Sequence, residues 1–248
     1  MFKKSYKNNK MANLKVSIII PAYNEEKTIA RTIKSLKMQS YKNFEIIVVD
    51  NNSKDKTKEI ASRYAKTTTE TKQGYISAVK RGVSEATGDI LTFCDADSFY
   101  KKNWLKKMVK AFKNKRTVAV YGTAMFYDTN IITSLLSTLF YSGFLIISKI
   151  MGLDNTAGFN FLFRKNAYEK AGGYDENWKS GSPDIEFGTR LKKLGRVSLK
   201  MTIVMTSSRR FKKGGFLKTT KMFFGMWKNM LSHKAPEVSY EEYNSTRR

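Results

Sequence analysis

Three short apolar runs, each closing on a polar cluster and each followed by a helical pattern, constrain this chain more than any other feature. Residues 16–20, 44–49 and 90–93 have the length and β-branched content of strands buried on both faces. After the first, Ile29, Ile33 and Leu36 recur at helical spacing, with Asn24 as candidate N-cap and Glu25 and Glu26 suited to the positive end of the helix dipole. After the second, Ser53 or Asp55 is placed to cap a helix carrying Ile60 and Tyr64, and Ile76, Val79 and Val83 mark a third helix ahead of Gly88. Strand and helix alternating three times in about 80 residues predict an α/β domain of βαβ units, with a parallel sheet and right-handed crossovers.

In open sheets of this kind, ligands bind beyond the carboxyl ends of the strands. The polar clusters fall there: residues 23–26, 50–53 and 95–98. The third holds Asp95, Ala96 and Asp97, an Asp-x-Asp (DXD) triplet. In an extended stretch alternate side chains point the same way, so both carboxylates can face one cation. Their hard oxygens suit Mg2+ or Mn2+, which bind phosphate oxygens and water as remaining ligands. The triplet taken singly also describes an ordinary capped turn, so its order among the other segments carries the reading.

Three segments taken together resemble family 2 glycosyltransferases of the GT-A fold: residues 16–26 (VSIIIPAYNEE), 47–57 (IVVDNNSKDKT) and 88–97 (GDILTFCDAD). That resemblance implies a Rossmann-like, mostly parallel sheet flanked by helices, with acceptor-side helices toward the C-terminus. It further implies that Pro21, Ala22, Tyr23 and Glu25 border the nucleotide of a sugar donor and that Asp50 hydrogen-bonds the base. A carboxylate accepting an imide proton favours a UDP- or GDP-sugar. Where the family often has a second Asp, this chain has Asn51 and Asn52, of which Asn52 is taken as the donor-side residue. Lys72 and Gly74 would lie near base or ribose, Asp95 near ribose or metal, and Asp97 would ligate the metal.

The acceptor half is read from residues 157–164, 172–176 and 182–187. In the family the last segment usually reads Glu-Asp-x-Glu/Asp-Leu, with its Asp as catalytic base. Asp184 matches that position while Pro183 replaces the usual acid, removing a neighbouring charge that would have raised the base's pKa. An acceptor hydroxyl needs such a base, and direct attack opposite the departing diphosphate inverts the anomeric centre. Arg209 and Arg210, after an apolar strand at 203–205, would clamp the diphosphate, because guanidinium suits bidentate phosphate contact.

The organisation expected is a basic arm at 1–13, a catalytic domain at 14–210 divided at 98/99 into nucleotide and acceptor halves, and a basic amphipathic helix and tail at 211–248. Lys and Arg number 46 against 21 Asp and Glu, a formal net charge of +25. That charge suits an anionic membrane surface. It would equally suit a non-catalytic nucleic-acid-binding protein, but that class leaves the three acidic strand ends unexplained, so no nucleic-acid partner is expected. A nucleotidyltransferase is disfavoured by the lack of a Gly-rich, Lys-containing phosphate loop.

One cysteine, Cys94, and no apolar leader in the first 15 residues fit a cytoplasmic protein, peripheral on the inner face of the cell membrane. His233, far downstream, is not read as a metal ligand. Phe216, Phe223, Trp227 and Met230 share a helical face that would either lie on such a membrane or pack on the domain, leaving the basic face in solvent. Residues 129–148 carry no charge and have the length of a membrane span. Their hydroxyls (Thr133, Ser134, Ser137, Thr138, Ser142) fall opposite Leu135, Leu136, Leu139 and Phe140, which predicts a buried or interfacial amphipathic helix instead. The acceptor is then a glycan or a lipid-linked molecule, and a polyprenyl-phosphate sugar synthase is the neighbouring reading.

Overall fold

A computed structural model of the chain describes residues 13–176 and 183–208. The arm at 1–12, Arg209, Arg210, His233 and the amphipathic segment at 211–248 lie outside the described residues. In chain order the elements are β1 (Val16–Ala22), α1 (Ile29–Lys37), β2 (Phe44–Asp50), α2 (Thr57–Ser62), β3 (Lys66–Thr69), α3 (Tyr75–Glu85) and β4 (Ile90–Phe93). There follow α4 (Trp104–Val109), β5 (Thr117–Phe126), α5 (Ile131–Ile150), β6 (Phe161–Arg164), α6 (Lys165–Lys170), α7 (Pro183–Leu194) and β7 (Arg196–Thr206).

The seven strands form one sheet in the order β3-β2-β1-β4-β6-β5-β7. Pairs β1/β2, β1/β4, β2/β3 and β5/β7 are parallel, whereas β6 runs antiparallel to both β4 and β5. The expected parallel sheet is therefore present with one reversed strand. Strand β3 escaped the sequence reading because Lys-Thr-Thr-Thr, at the sheet edge, has no apolar residue to mark it.

The sheet is covered on both faces. One core packs Ile29, Ile33 and Leu36 of α1 and Trp104, Leu105 and Met108 of α4 against Ile18, Ile20, Val48 and Ile90. The other packs α3, α6 and α7 through Ile76, Val79, Tyr168, Phe187 and Leu191 against Ile19, Val49, Leu91, Phe93 and Phe163. Because β1 is buried on both faces, successive residues feed opposite cores, which is why its apolar run is continuous.

Strand β1 continues through Pro21, beyond the apolar run. Lys15 and Ile19 direct their carbonyls to the β4 side, accepting from Ile90 N and Cys94 N. By alternation, residue 21 faces the same side, and β4 pairs only with residues 16–19. Pro21 thus lacks its N–H where no ladder needs one.

Two capping expectations change. Asn24 does not cap α1: it has φ 54°, and the helix begins after Thr28, with Glu25 O accepting from the N–H groups of Thr28 and Ile29. Asp55 serves α2 from inside the preceding turn, its Oδ1 accepting from Thr57 N at 2.9 Å, while Ser53 turns instead toward Asn24.

Candidate active site

The loops after β1 and β2 lock together. Ser53 Oγ accepts from Asn24 N, Asn24 Oδ1 accepts from Lys54 N, Thr57 Oγ1 accepts from Glu25 N, and Asp55 Oδ2 accepts from Glu26 N. Asn24 and Asn52 (φ 62°) adopt the left-handed conformation that asparagine tolerates, which lets both chains turn sharply at the strand ends. The result is a fixed rim carrying Pro21, Ala22, Tyr23 and Glu25 above the buried end of β2. Asn52 is exposed on that rim.

At the end of β2, Asp50 is only 3% exposed. One carboxylate oxygen receives a long 3.4 Å contact from Ser53 N, and the other, Oδ1, is buried with no hydrogen-bond partner among the described residues. Beside it Asn51 is 5% exposed and fully used: its Nδ2 donates to Glu70 O (3.0 Å) and Lys72 O (2.9 Å), and its Oδ1 accepts from Gly74 N (2.7 Å). Asparagine is required there because an aspartate could not donate to the two carbonyls. Asn51, which sequence reasoning passed over for Asn52, is the residue that fixes the loop holding Lys72 and Gly74. Gly74 has φ 145°, a backbone state that glycine alone enters freely, and leads directly into α3. The Lys72 ammonium pairs with Glu176 at 3.0 Å and Lys80 pairs with the same carboxylate at 2.7 Å. Hydrogen bonds from Lys80 and Lys72 hold the Glu176 carboxyl down at about 2.

Asp95, Ala96 and Asp97 form the turn after β4, with Ala96 buried and both carboxylates partly exposed. The turn is held from three sides. Thr32 Oγ1 on α1 reaches the carbonyls of Ala96 and Ser98 (2.8 Å each), Ser98 Oγ donates to Thr206 at the end of β7, and Tyr127 Oη donates to Asp97 O. Arg31 stacks over the Tyr127 ring, 4.5 Å from its centroid, and donates to its hydroxyl. This guanidinium beside the Asp97 turn carried no motif by which sequence reasoning could have found it. Below the turn, burial pushes the Cys94 thiol up to about 12, so that side chain is packing and not nucleophile.

Asp184 stands in the first turn of α7. Tyr174 Oη donates to its Oδ1 at 2.5 Å, the length of a charge-assisted bond, and Thr156 Oγ1 donates to its backbone carbonyl. Burial, then the Asp184 charge, raise the Tyr174 phenol well above its ordinary value, which keeps it a donor. Gly158 makes room for the pair: a Cβ there would lie 2.9 Å from both Asp184 Oδ1 and Tyr75 Oη. Tyr75 immediately follows Gly74, and its ring meets that of Tyr174 edge-on at 6.4 Å. The loop at residues 70–74 and the Asp184 carboxylate thus come together across Gly158. This segment lies at the carboxyl end of β4, since Phe161 pairs with Phe93. A separate open hollow of about 450 Å³, lined by Asn13, Tyr41, Asn43 and Lys106 among others, sits at the opposite end of the sheet and holds no carboxylate.

Residues 17–172 match the family described as Glycosyl transferase family 2. The chain belongs to glycosyltransferase family 2. Among its relatives, the amylovoran biosynthesis glycosyltransferase AmsB of Erwinia amylovora is 40% identical over 106 residues, 39% of this chain. The dolichol-phosphate mannosyltransferase of Pyrococcus furiosus is 37% identical over 115 residues, 43% of this chain. These matches span 35% and 32% of those two family members. The probable glycosyltransferase YdaM of Bacillus subtilis is 30% identical over 203 residues, covering 73% of this chain and 47% of that protein.

Among solved structures, the mannosyltransferase PcManGT from Pyrobaculum calidifontis, in complex with GDP-Man and Mn2+, has a TM-score of 0.69 at 21% identity, over 90% of this chain and 66% of that one. TarS of S. aureus in complex with UDP-GlcNAc has a TM-score of 0.62 at 22% identity, over 79% and 59%. The fold is GT-A, as the resemblance implied.

Proposed function

We propose that this chain is an inverting glycosyltransferase that moves a sugar from a UDP- or GDP-linked donor to a hydroxyl of a glycan or lipid-linked acceptor. The observation that carries the reading is Asp50: a carboxylate oxygen buried at the β2 end without a donor among the described residues, next to a loop pinned by Asn51. A buried acceptor in that state is costly unless a ligand donates to it, and the imide N–H of uracil or guanine does so.

Metal dependence is supported by the donor set at Asp95 and Asp97. Mg2+ and Mn2+ bind through one or two carboxylates with phosphate oxygens and water completing the shell, so two partly exposed aspartates on a braced turn suffice. A divalent ion held there would neutralise charge on the departing diphosphate. Arg209 and Arg210 remain the proposed diphosphate clamp, and Lys72, Gly74 and Tyr23 the donor-side wall. Asp184, oriented by Tyr174, takes the acceptor hydroxyl proton as that oxygen attacks the anomeric carbon. The bond to the diphosphate breaks on the opposite face, which inverts the configuration.

A polyprenyl-phosphate acceptor is the second reading, favoured by the apolar surface of α5 near this site. The test measures donor binding and transfer separately. Asp184→Asn should abolish transfer while donor binding in Mn2+ persists, and Asp97→Ala should remove the metal-dependent part of donor binding. Transfer at the wild-type rate in Asp184→Asn refutes the base, and donor binding unaffected by chelator refutes the metal.

A further inference from the structure

Helix α5 is amphipathic with its polarity reversed. Three of its hydroxyls face the domain: Ser134 Oγ donates to Phe126 O (2.6 Å), Ser142 Oγ bonds Thr123 Oγ1 (2.8 Å), and Ser148 is fully buried. Its large apolar side chains face outward, with Ile132, Leu136, Leu139 and Phe140 each more than 60% exposed and Leu135 and Ile147 more than half exposed. Ten of the thirteen large apolar side chains exposed among the described residues belong to α5 or to Met151, which caps it. At 1.5 Å per residue the stripe is about 30 Å long. Contiguous apolar surface on that scale marks an interaction site.

We propose that α5 is a membrane-docking helix, lying in the plane of an anionic bilayer with its outward face in the acyl boundary. Charge selects this occupant over a second copy of the chain, since two bodies of net charge +25 repel while an anionic bilayer attracts. The apolar face is free of charge until Lys149 at its C-terminal end, where Lys149 and Lys192 share the buried Asp154 carboxylate (2.6 and 3.9 Å), leaving one net positive charge beside the stripe. The helix lies on the membrane and does not cross it, although it has the length and composition to do so, because Ser134, Leu145 and Ser148 tie it along its length to the domain. Its N-terminus follows β5 directly, next to Tyr127, whose hydroxyl holds the Asp97 turn. Docking therefore sets the mouth of the site at the lipid surface, where an acceptor anchored in the bilayer is presented.

The full-length chain provides the test. Cys94 is 1% exposed, so Leu139→Cys can be labelled selectively with an environment-sensitive fluorophore. Vesicles containing 30 mol% phosphatidylglycerol (about that fraction, to supply surface charge) should shift its emission to the blue, and the protein should float with them. Leu136→Glu/Leu139→Glu should reduce vesicle partition at least about 10-fold without changing the melting temperature, and Leu136→Ser/Leu139→Ser should reduce it in the same direction. No blue shift on anionic vesicles, flotation unaltered by both double substitutions, or a self-associated wild type whose stripe variants become monomeric would each overturn the proposal. Because the readout is vesicle partition, failure of docking and failure of the transferase reading are scored separately.

Discussion

Replacing Asn51 by aspartate exchanges one heavy atom and should damage both stability and donor binding. The substitution keeps an acceptor for Gly74 N but removes both donors, setting a carboxylate oxygen against the carbonyls of Glu70 and Lys72 that now lie 3.0 and 2.9 Å from Nδ2. Each buried carbonyl left unpaired costs about 1–3 kcal/mol, and the stronger bond from Gly74 N returns about 1 kcal/mol. Lys72 is exposed, so its carbonyl regains water when the loop moves, which puts the loss toward the lower half of the range, about 1–3 kcal/mol. In a domain of this size that corresponds to a fall in Tm of about 2–12 °C. Thermal unfolding followed by circular dichroism measures it, and calorimetric titration with UDP- and GDP-sugars should show weakened donor affinity as residues 70–74 loosen. Asn51→Ala, which loses all three bonds, should be no more stable than Asn51→Asp. An Asn51→Asp protein melting within about 1 °C of wild type would refute the assignment of Asn51 as the clamp of this loop.

Gly158→Ala should lower kcat by about 100-fold, since its Cβ would press on Asp184 Oδ1 and Tyr75 Oη at 2.9 Å and displacements of this order carry such penalties; unaltered kcat shows that the segment yields. Tyr174→Phe keeps the ring within its aromatic cluster but deletes the hydroxyl donating to Asp184, and should reduce kcat about 10-fold with donor affinity unchanged. A fall in donor affinity with kcat intact would mean that Tyr174 serves the nucleotide instead. Burial of Glu45 opposes its ionisation, but hydrogen bonds from Ser17, Thr87 and Lys15 outweigh this and hold its carboxyl at about 2. A depressed folded-state value stabilises the protein above the unfolded value near 4.5 and is lost as pH falls through about 2. Glu45→Gln should therefore melt lower than wild type at pH 7, with the gap closing toward pH 2 (about the folded value); a gap independent of pH would contradict the linkage.

Local pattern determined the first half of the fold, and motif resemblance pointed to the family. The apolar runs at β1, β2 and β4 are buried on both faces, so burial wrote them as continuous hydrophobic sequence, and their polar ends fell at the carboxyl edge because parallel strands share one direction. Asp50 and the Asp95–Asp97 turn could be placed at strand ends for the same reason, whereas Asp184 was singled out only by the resemblance to the family's acceptor-side motif. Position along the chain could not reveal long-range partnership. Asn51 reads like its neighbour Asn52 until the loop 70–74 is folded against it, and Arg31 is an ordinary helix cation until Tyr127 arrives from 96 residues away. Strand β3 has no apolar residue, and its pairing with β2 depends on the edge position that the sheet assigns it. The orientation of α5 is the clearest case. Periodicity showed two faces on the helix, but which face turns inward depends on what β5 offers, and Thr123 and the Phe126 carbonyl offer hydrogen bonds that draw Ser142 and Ser134 in and leave Leu135, Leu136 and Leu139 outside.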